Sequence, residues 1–126
     1  MVLFFKKNVF IEGLLLLQFC VETGGFLAEI KSESEQNEIN AILSSKDSSF
    51  AYWIGLSDLA VEGQWVWQHS YSPLGNYTNW ISGEPNGAEK EDCVVLWPDN
   101  WEWADLNCEW TIIRSHGYNL HALCQS

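Results

Sequence analysis

Glu84-Pro85-Asn86, Glu91-Asp92-Cys93 and Trp103-Ala104-Asp105-Leu106-Asn107-Cys108 follow one another within residues 84–108. Together they decide how the chain reads. They place carboxylates and an amide close in sequence, beside two cysteines that can pin the segment. Hard cations such as calcium take oxygen donors of this kind. A second acidic pair, Asp58 and Glu62, sits in the turn Ser57 to Gly63. Any one of these acids, taken alone, reads as a solvated surface carboxylate. The grouping beside cysteines weakens that reading. The loop spacing of an EF-hand is absent, so a calcium site here has another architecture.

Working outward, the segment from Ser70 to Lys90 carries Gly, Pro, Asn or Ser at every few positions. A loop of about 20 residues inside a compact domain is usually kept for function. Asn76-Tyr77-Thr78 within it is an N-glycosylation sequon. Upstream, Val21 to Gly25 reads as a turn and Phe26 to Ile30 as a short strand. Ser32 opens a helix, with Glu35 three residues on as a capping box. Ile39, Ile42 and Leu43 give that helix one apolar stripe, and it ends near Ser44. Ala51 to Leu56, Gln64 to Gln68, Cys93 to Trp97, Trp101 to Trp103 and Leu120 to Cys124 read as strands. Helix early and strands late predict an α+β class.

The whole chain has 126 residues, a length that suits one domain. Seventeen acids against six bases give a formal charge of -11. That balance argues against nucleic acid and against an anionic membrane surface, and favours a cation or a basic partner. Cys20, Cys93, Cys108 and Cys124 are an even set, which suggests two disulfides and an oxidising, extracellular compartment. Four cysteines allow three pairings, and spacing alone does not choose. His69, His116 and His121 are not in metal-ligand spacing, and no nucleophile elbow, zinc-protease helix or phosphate loop occurs. The chain is small for the cleft of a paired-carboxylate glycosidase. No enzyme is therefore expected. Among the eight tryptophans, Trp97, Trp101, Trp103 and Trp110 read as core, with one or two flanking the loop. Residues 1–19 are an atypical lead-in. They read as an amphipathic or buried helix running into Cys20, or as a truncated or mispredicted first segment. The run Leu14 to Leu17 is too short to span a bilayer.

Trp53-Ile54-Gly55-Leu56 joins the three motifs above in an order and spacing that resemble the C-type lectin-like domain. The resemblance runs from about Cys20 to Cys124, and residues 20–126 are taken as that domain. The segment Ser57 to Trp65 looks most like the perlucin-like secreted lectins. The resemblance implies an α+β C-type lectin-like fold: two helices, short antiparallel sheets and a long calcium-binding loop. It implies disulfides Cys20–Cys124 and Cys93–Cys108. In the chain-entropy model these are worth about 4.7 and about 3 kcal/mol.

The resemblance also implies function: a secreted, calcium-dependent lectin for mannose-type glycans, with oligomers compatible. The principal calcium would lie on Glu84, Asn86, Glu91 and Asp105. A cis peptide before Pro85 would turn Glu84 and Asn86 toward one ion. An auxiliary calcium would lie on Asp58, Glu62, Asp92 and Glu91. Glu-Pro-Asn sets acceptor then donor, the order that goes with equatorial, mannose-type hydroxyls. Three departures stand out. Ala104 replaces the family's Asn, which supplies one calcium oxygen and one amide donor. Gly87 stands where the auxiliary site often has an acid or amide. Gly13 and Leu16 replace a Trp-x-x-Ala pattern, and the first strand is not evident. A second reading follows from Ala104: a domain whose sugar site is vestigial and which binds protein or calcium mineral.

Overall fold

The computed structural model describes residues 3–7, 20–22, 24–46, 50–86, 91–109, 112–113 and 117–126. The strands are β1 Leu3–Lys7, β2 Phe26–Leu27, β3 Phe50–Ser57, β4 Val66–Trp67, β5 Cys93–Leu96, β6 Trp103–Leu106, β7 Ile112–Ile113 and β8 Tyr118–Gln125. The helix α1 covers Glu33–Leu43, and residues 20–22 are also helical. The strands form one sheet whose main path runs β1-β8-β3-β5-β6. The arrangement is α+β. The sheet is mixed, because β3 runs parallel to β8. The other strand pairs are antiparallel, as the resemblance implies. Seven of the eight β3 residues are buried, which suits a central strand covered on both faces.

The lead-in departs from expectation too. Leu3–Lys7 is a strand, not a helix, and pairs antiparallel with β8 from Leu3↔Gln125 to Lys7↔His121. The lysine pair breaks the apolar pattern of an amphipathic helix but not that of an edge strand, where lysines are common. Gly13 and Leu16 lie outside the described residues.

The helix begins as predicted. Ser32 caps it, its hydroxyl accepting the Glu35 N–H at 3.2 Å, while Glu35 reaches back to the Lys31 N–H at 3.0 Å. Its buried face is Gln36, Ile39 and Leu43. Ile42 is 38% exposed, so the predicted stripe is displaced by one turn position.

Two apolar clusters fill the two faces of the sheet. One holds Trp53, Val95, Ala104, Leu106 and Leu120 with both disulfides, Cys20–Cys124 and Cys93–Cys108. This is the pairing the family resemblance implies. The other packs Ile39 and Leu43 of the helix against Leu56, Trp67, Leu96 and Trp103. Gly55 sits where backbones meet: a Cβ there would lie 2.8 Å from the Leu27 carbonyl oxygen.

Trp103 positions the long loop. It is fully buried, and Trp67, Tyr77 and Trp80 meet its ring edge-on at 5.5–6.0 Å. Its backbone N–H donates to Asn79, and its carbonyl accepts from Ile81. The loop is thereby laid along the edge of β6.

Candidate functional site

Two acidic groups form where the long loop meets the ends of β3, β5 and β6. The first is built on the turn after β3. The Asp58 N–H donates to the Asp92 carbonyl at 3.2 Å, joining the turn to the residue before Cys93. Asp58 Oδ2 accepts the Gly63 N–H at 2.8 Å, and Gly63 has φ 82, a left-handed conformation that suits glycine. Carboxylate oxygens of Asp58, Glu62 and Asp92 lie within 4.8 Å of one another. Like charges this close resist ionising together. Glu62 is exposed, yet a hydrogen bond shared with Asp58, then partial desolvation beside its neighbours, then the charges of Asp58 and Asp92 push it up to about 7. Burial first, and Asp58 next, raise Asp92 as well.

The second group centres on Asp105, which is 2% exposed and faces Val94 across the β5–β6 ladder. Its Oδ1 accepts the Asn86 N–H at 3.4 Å. Burial is the main cause that raises its carboxyl above the usual range. Glu84 is held by a turn in which its N–H bonds the Ile81 carbonyl at 2.9 Å. The Glu84–Pro85 peptide is cis.

Four buried carboxylate oxygens share one property. Asp58 Oδ1, Asp92 Oδ1, Glu84 Oε2 and Asp105 Oδ2 have no donor among the described residues, apart from a proton shared between neighbouring acids. A buried charge without a partner is costly, so each of these oxygens either favours the protonated carboxyl or takes a partner from outside the described residues.

The structure thus gathers Asp58, Glu62 and Asp92, and separately Asp105 with Asn86. Glu84, Glu91 and Asp105 do not come within 4.8 Å as a trio. Glu91 is half-buried at the loop's return, and Gly87 lies outside the described residues. Ala104 is 6% exposed and packs with Val95 and Leu106 on the disulfide side of the sheet. Asn76 is exposed. Trp101 and Trp103 are core, whereas Trp97 is half-buried and Trp110 lies outside the described residues. His69 stacks on Phe26 at 3.8 Å, a packing role.

With this geometry in view, the known proteins are informative. The Lectin C-type domain family matches residues 16–112. The chain belongs to the C-type lectin domain family. This lectin domain is 39% identical to the perlucin-like protein of Mytilus galloprovincialis over 92 residues, 71% of this chain. It spans 58% of that relative's length. Its fold matches the C-type lectin domain of murine dendritic cell inhibitory receptor 2, solved in complex with N-glycan, at a TM-score of 0.78 and 28% identity. That match covers 98% of this chain and 88% of the other. A calcium-independent type II antifreeze protein matches at 0.76 and 25% identity, over 97% of this chain and 82% of the other. The lectin domain is perlucin-like, and its family is one of binding domains rather than enzymes.

Proposed function

We propose that this lectin domain binds mannose-type glycans in a calcium-dependent way, outside the cell. The observation that carries the reading is the set of orphaned oxygens on Asp58, Asp92, Glu84 and Asp105. The donor set fits calcium, being all oxygen and mostly carboxylate. Glu84, Asn86, Glu91 and Asp105 would hold the principal ion. Asp58, Glu62 and Asp92, with Glu91, would hold an auxiliary one. When bound, calcium supplies a positive centre that accepts oxygens from two vicinal sugar hydroxyls.

The chain's own residues do the rest. Glu84 accepts a hydrogen bond from one hydroxyl, and the Asn86 amide donates to the other. Asp105 orients Asn86 through the backbone bond already described. The Trp103 hub keeps the loop close to β6, which supports a reading in which Glu84 and Asn86 would meet one ligand. Secretion fits the two disulfides. The exposed sequon at Asn76 would carry an N-glycan, and oligomers would add valency.

Ala104 supports a second reading, in which the sugar site is vestigial and the domain binds protein or calcium mineral. It offers no amide and lies among apolar neighbours. A structural neighbour, the type II antifreeze protein, is calcium-independent, which supports this reading.

Calorimetric titration with calcium, with and without methyl mannoside, separates the two. Calcium binding that tightens with the sugar, and a sugar response lost in Glu84→Gln, supports the first. Calcium binding indifferent to every sugar supports the second. Binding of neither would overturn the first reading and leave protein binding by a vestigial site as the better one.

A further inference from the structure

The β5–β6 hairpin tip carries a groove that the acidic groups do not use. Its volume is about 230 Å³, and it is lined by Ile81, Trp97, Pro98, Asp99, Asn100 and Glu102. The tip is tightly built. The Trp97 N–H donates to the Glu102 carbonyl, and the Trp101 N–H to that of Trp97. Pro98 is buried, Trp97 and Glu102 are half-buried, and Asp99 and Asn100 are exposed. Trp101, 4% exposed, anchors the turn in the core against Tyr52.

The donor and acceptor count of this groove is one-sided. Asp99 and Glu102 offer carboxylate oxygens. The Asn100 amide nitrogen points to Glu102 Oε1 at 3.5 Å, which leaves the Asn100 oxygen as a further acceptor. Among the described residues no basic side chain pairs with Asp99 or Glu102, since the ion pair they contain is Lys31–Glu29. The remaining walls are an indole, an isoleucine and a proline. A neutral sugar needs donors as well as acceptors, and the side-chain donors of this lining are the Asn100 amide and the Trp97 indole N–H, against the acceptors of two carboxylates and one amide oxygen. A guanidinium carries five N–H donors, no acceptor and a flat face that stacks on indole. Its aliphatic stem suits the Ile81 and Pro98 walls. The chain's charge of -11 draws such a group in.

We propose that this groove receives an arginine side chain presented by a partner protein. The site is separate from Glu84 and Asp105 and does not depend on the glycan reading.

N-acetyl-arginine methylamide, titrated at low salt into the whole calcium-loaded protein, is the probe. The readout is the Trp97 indole N–H signal, assigned with Trp97→Phe. A saturable shift with millimolar affinity is expected. The citrulline analogue has the same shape without the charge, and should bind up to about fivefold more weakly. Glu102→Gln should weaken arginine by a similar factor while leaving the melting temperature and the response to calcium unchanged. Equal binding of arginine and citrulline, or no saturable shift at tens of millimolar, would overturn the proposal. So would a Trp97 shift with methyl mannoside in place of arginine, which would make the groove a sugar subsite.

Discussion

Two ends of the domain bury polar side chains, and they treat them oppositely. Beside the helix, Glu29 is 6% exposed and has every oxygen engaged. Its Oε2 accepts the N–H groups of His69 and Ser70 at 2.9 and 3.1 Å, and its Oε1 lies 3.3 Å from Lys31 Nζ. Gln36, 2% exposed, accepts from the Trp103 indole at 2.9 Å and donates to Asn40 at 2.8 Å. At the loop end, Asp58 and Asp105 are buried just as deeply, yet each keeps an oxygen without a donor. Burial is the same and satisfaction is not. The helix end is finished by the chain itself, whereas the loop end is left with carboxylate oxygens that the described residues do not satisfy.

The largest effect should come from the finished end. Glu29→Ala leaves two backbone N–H groups without an acceptor, at about 1–3 kcal/mol for each unsatisfied group. Urea unfolding should show a loss of about 2–6 kcal/mol on that scale. The loss should be equal with calcium and with chelator. A loss that calcium repairs would break the contrast between the ends.

Calcium comes next. An ion bound only to the folded state, at a hundred times its dissociation constant, stabilises by about 2.7 kcal/mol. The melting temperature should rise accordingly. Asp58→Asn should remove part of that rise, yet it should not destabilise the ion-free domain, because it deletes an unpaired buried charge. That is the reverse of Glu29→Ala. If Asp58→Asn destabilises the chelated protein as much as Glu29→Ala does, Asp58 is structural and the loop end is complete without an ion.

The pH dependence has a definite sign. Glu62 rises from 4.5 to about 7, and Asp92 and Asp105 are raised as well. A carboxyl raised in the folded state keeps a proton that the unfolded chain has released. The stability this lends is complete below the unfolded value and lost as pH climbs through the folded value. The ion-free domain should therefore melt higher near about pH 5 than near about pH 7.5. Glu62→Gln should flatten the slope, and calcium should abolish it by taking the proton's place. A melting temperature that climbs over this window without calcium would contradict the crowding of the three acids.

The sequence reveals the loop end better than the helix end, for a physical reason. Candidate site residues cluster locally: Glu84 with Asn86, Glu91 with Asp92, and Asp105 three residues before Cys108. Local spacing is legible, and so is the Ser32 cap. The partners of Glu29 lie 40 and 41 residues away, and Gln36 meets Trp103 across 67. Nothing local marks such pairs, so Glu29 reads only as part of a strand. The parallel β3–β8 pairing and the β1 strand are hidden for the same reason. The groove at Trp97 is missed because its signal, a Pro98-Asp99-Asn100 turn between tryptophans, reads as an ordinary hairpin tip.

The smallest expected effect is the most discriminating. Ala104 lies on β6 beside Asp105, but the strand's alternation turns it toward Val95 and Leu106. Ala104→Asn therefore places an amide at a position that the ion-free domain keeps apolar. Burying an unpaired amide costs about 1–3 kcal/mol on mutational scales, so the chelated variant should melt lower than the parent. With calcium, the amide oxygen gains an ion to bind and its N–H a sugar oxygen, so the deficit should shrink. Mannose affinity should rise about tenfold, a gain of about 1.4 kcal/mol. Calcium affinity should rise in step, because sugar and ion binding are linked reciprocally. Galactose should gain little, since Glu84 and Asn86 keep their order. Titration calorimetry with both sugars reads all of this. A variant that is destabilised equally with and without calcium, and gains no affinity, would place position 104 in the finished part of the molecule. The vestigial-site reading would then be the better one.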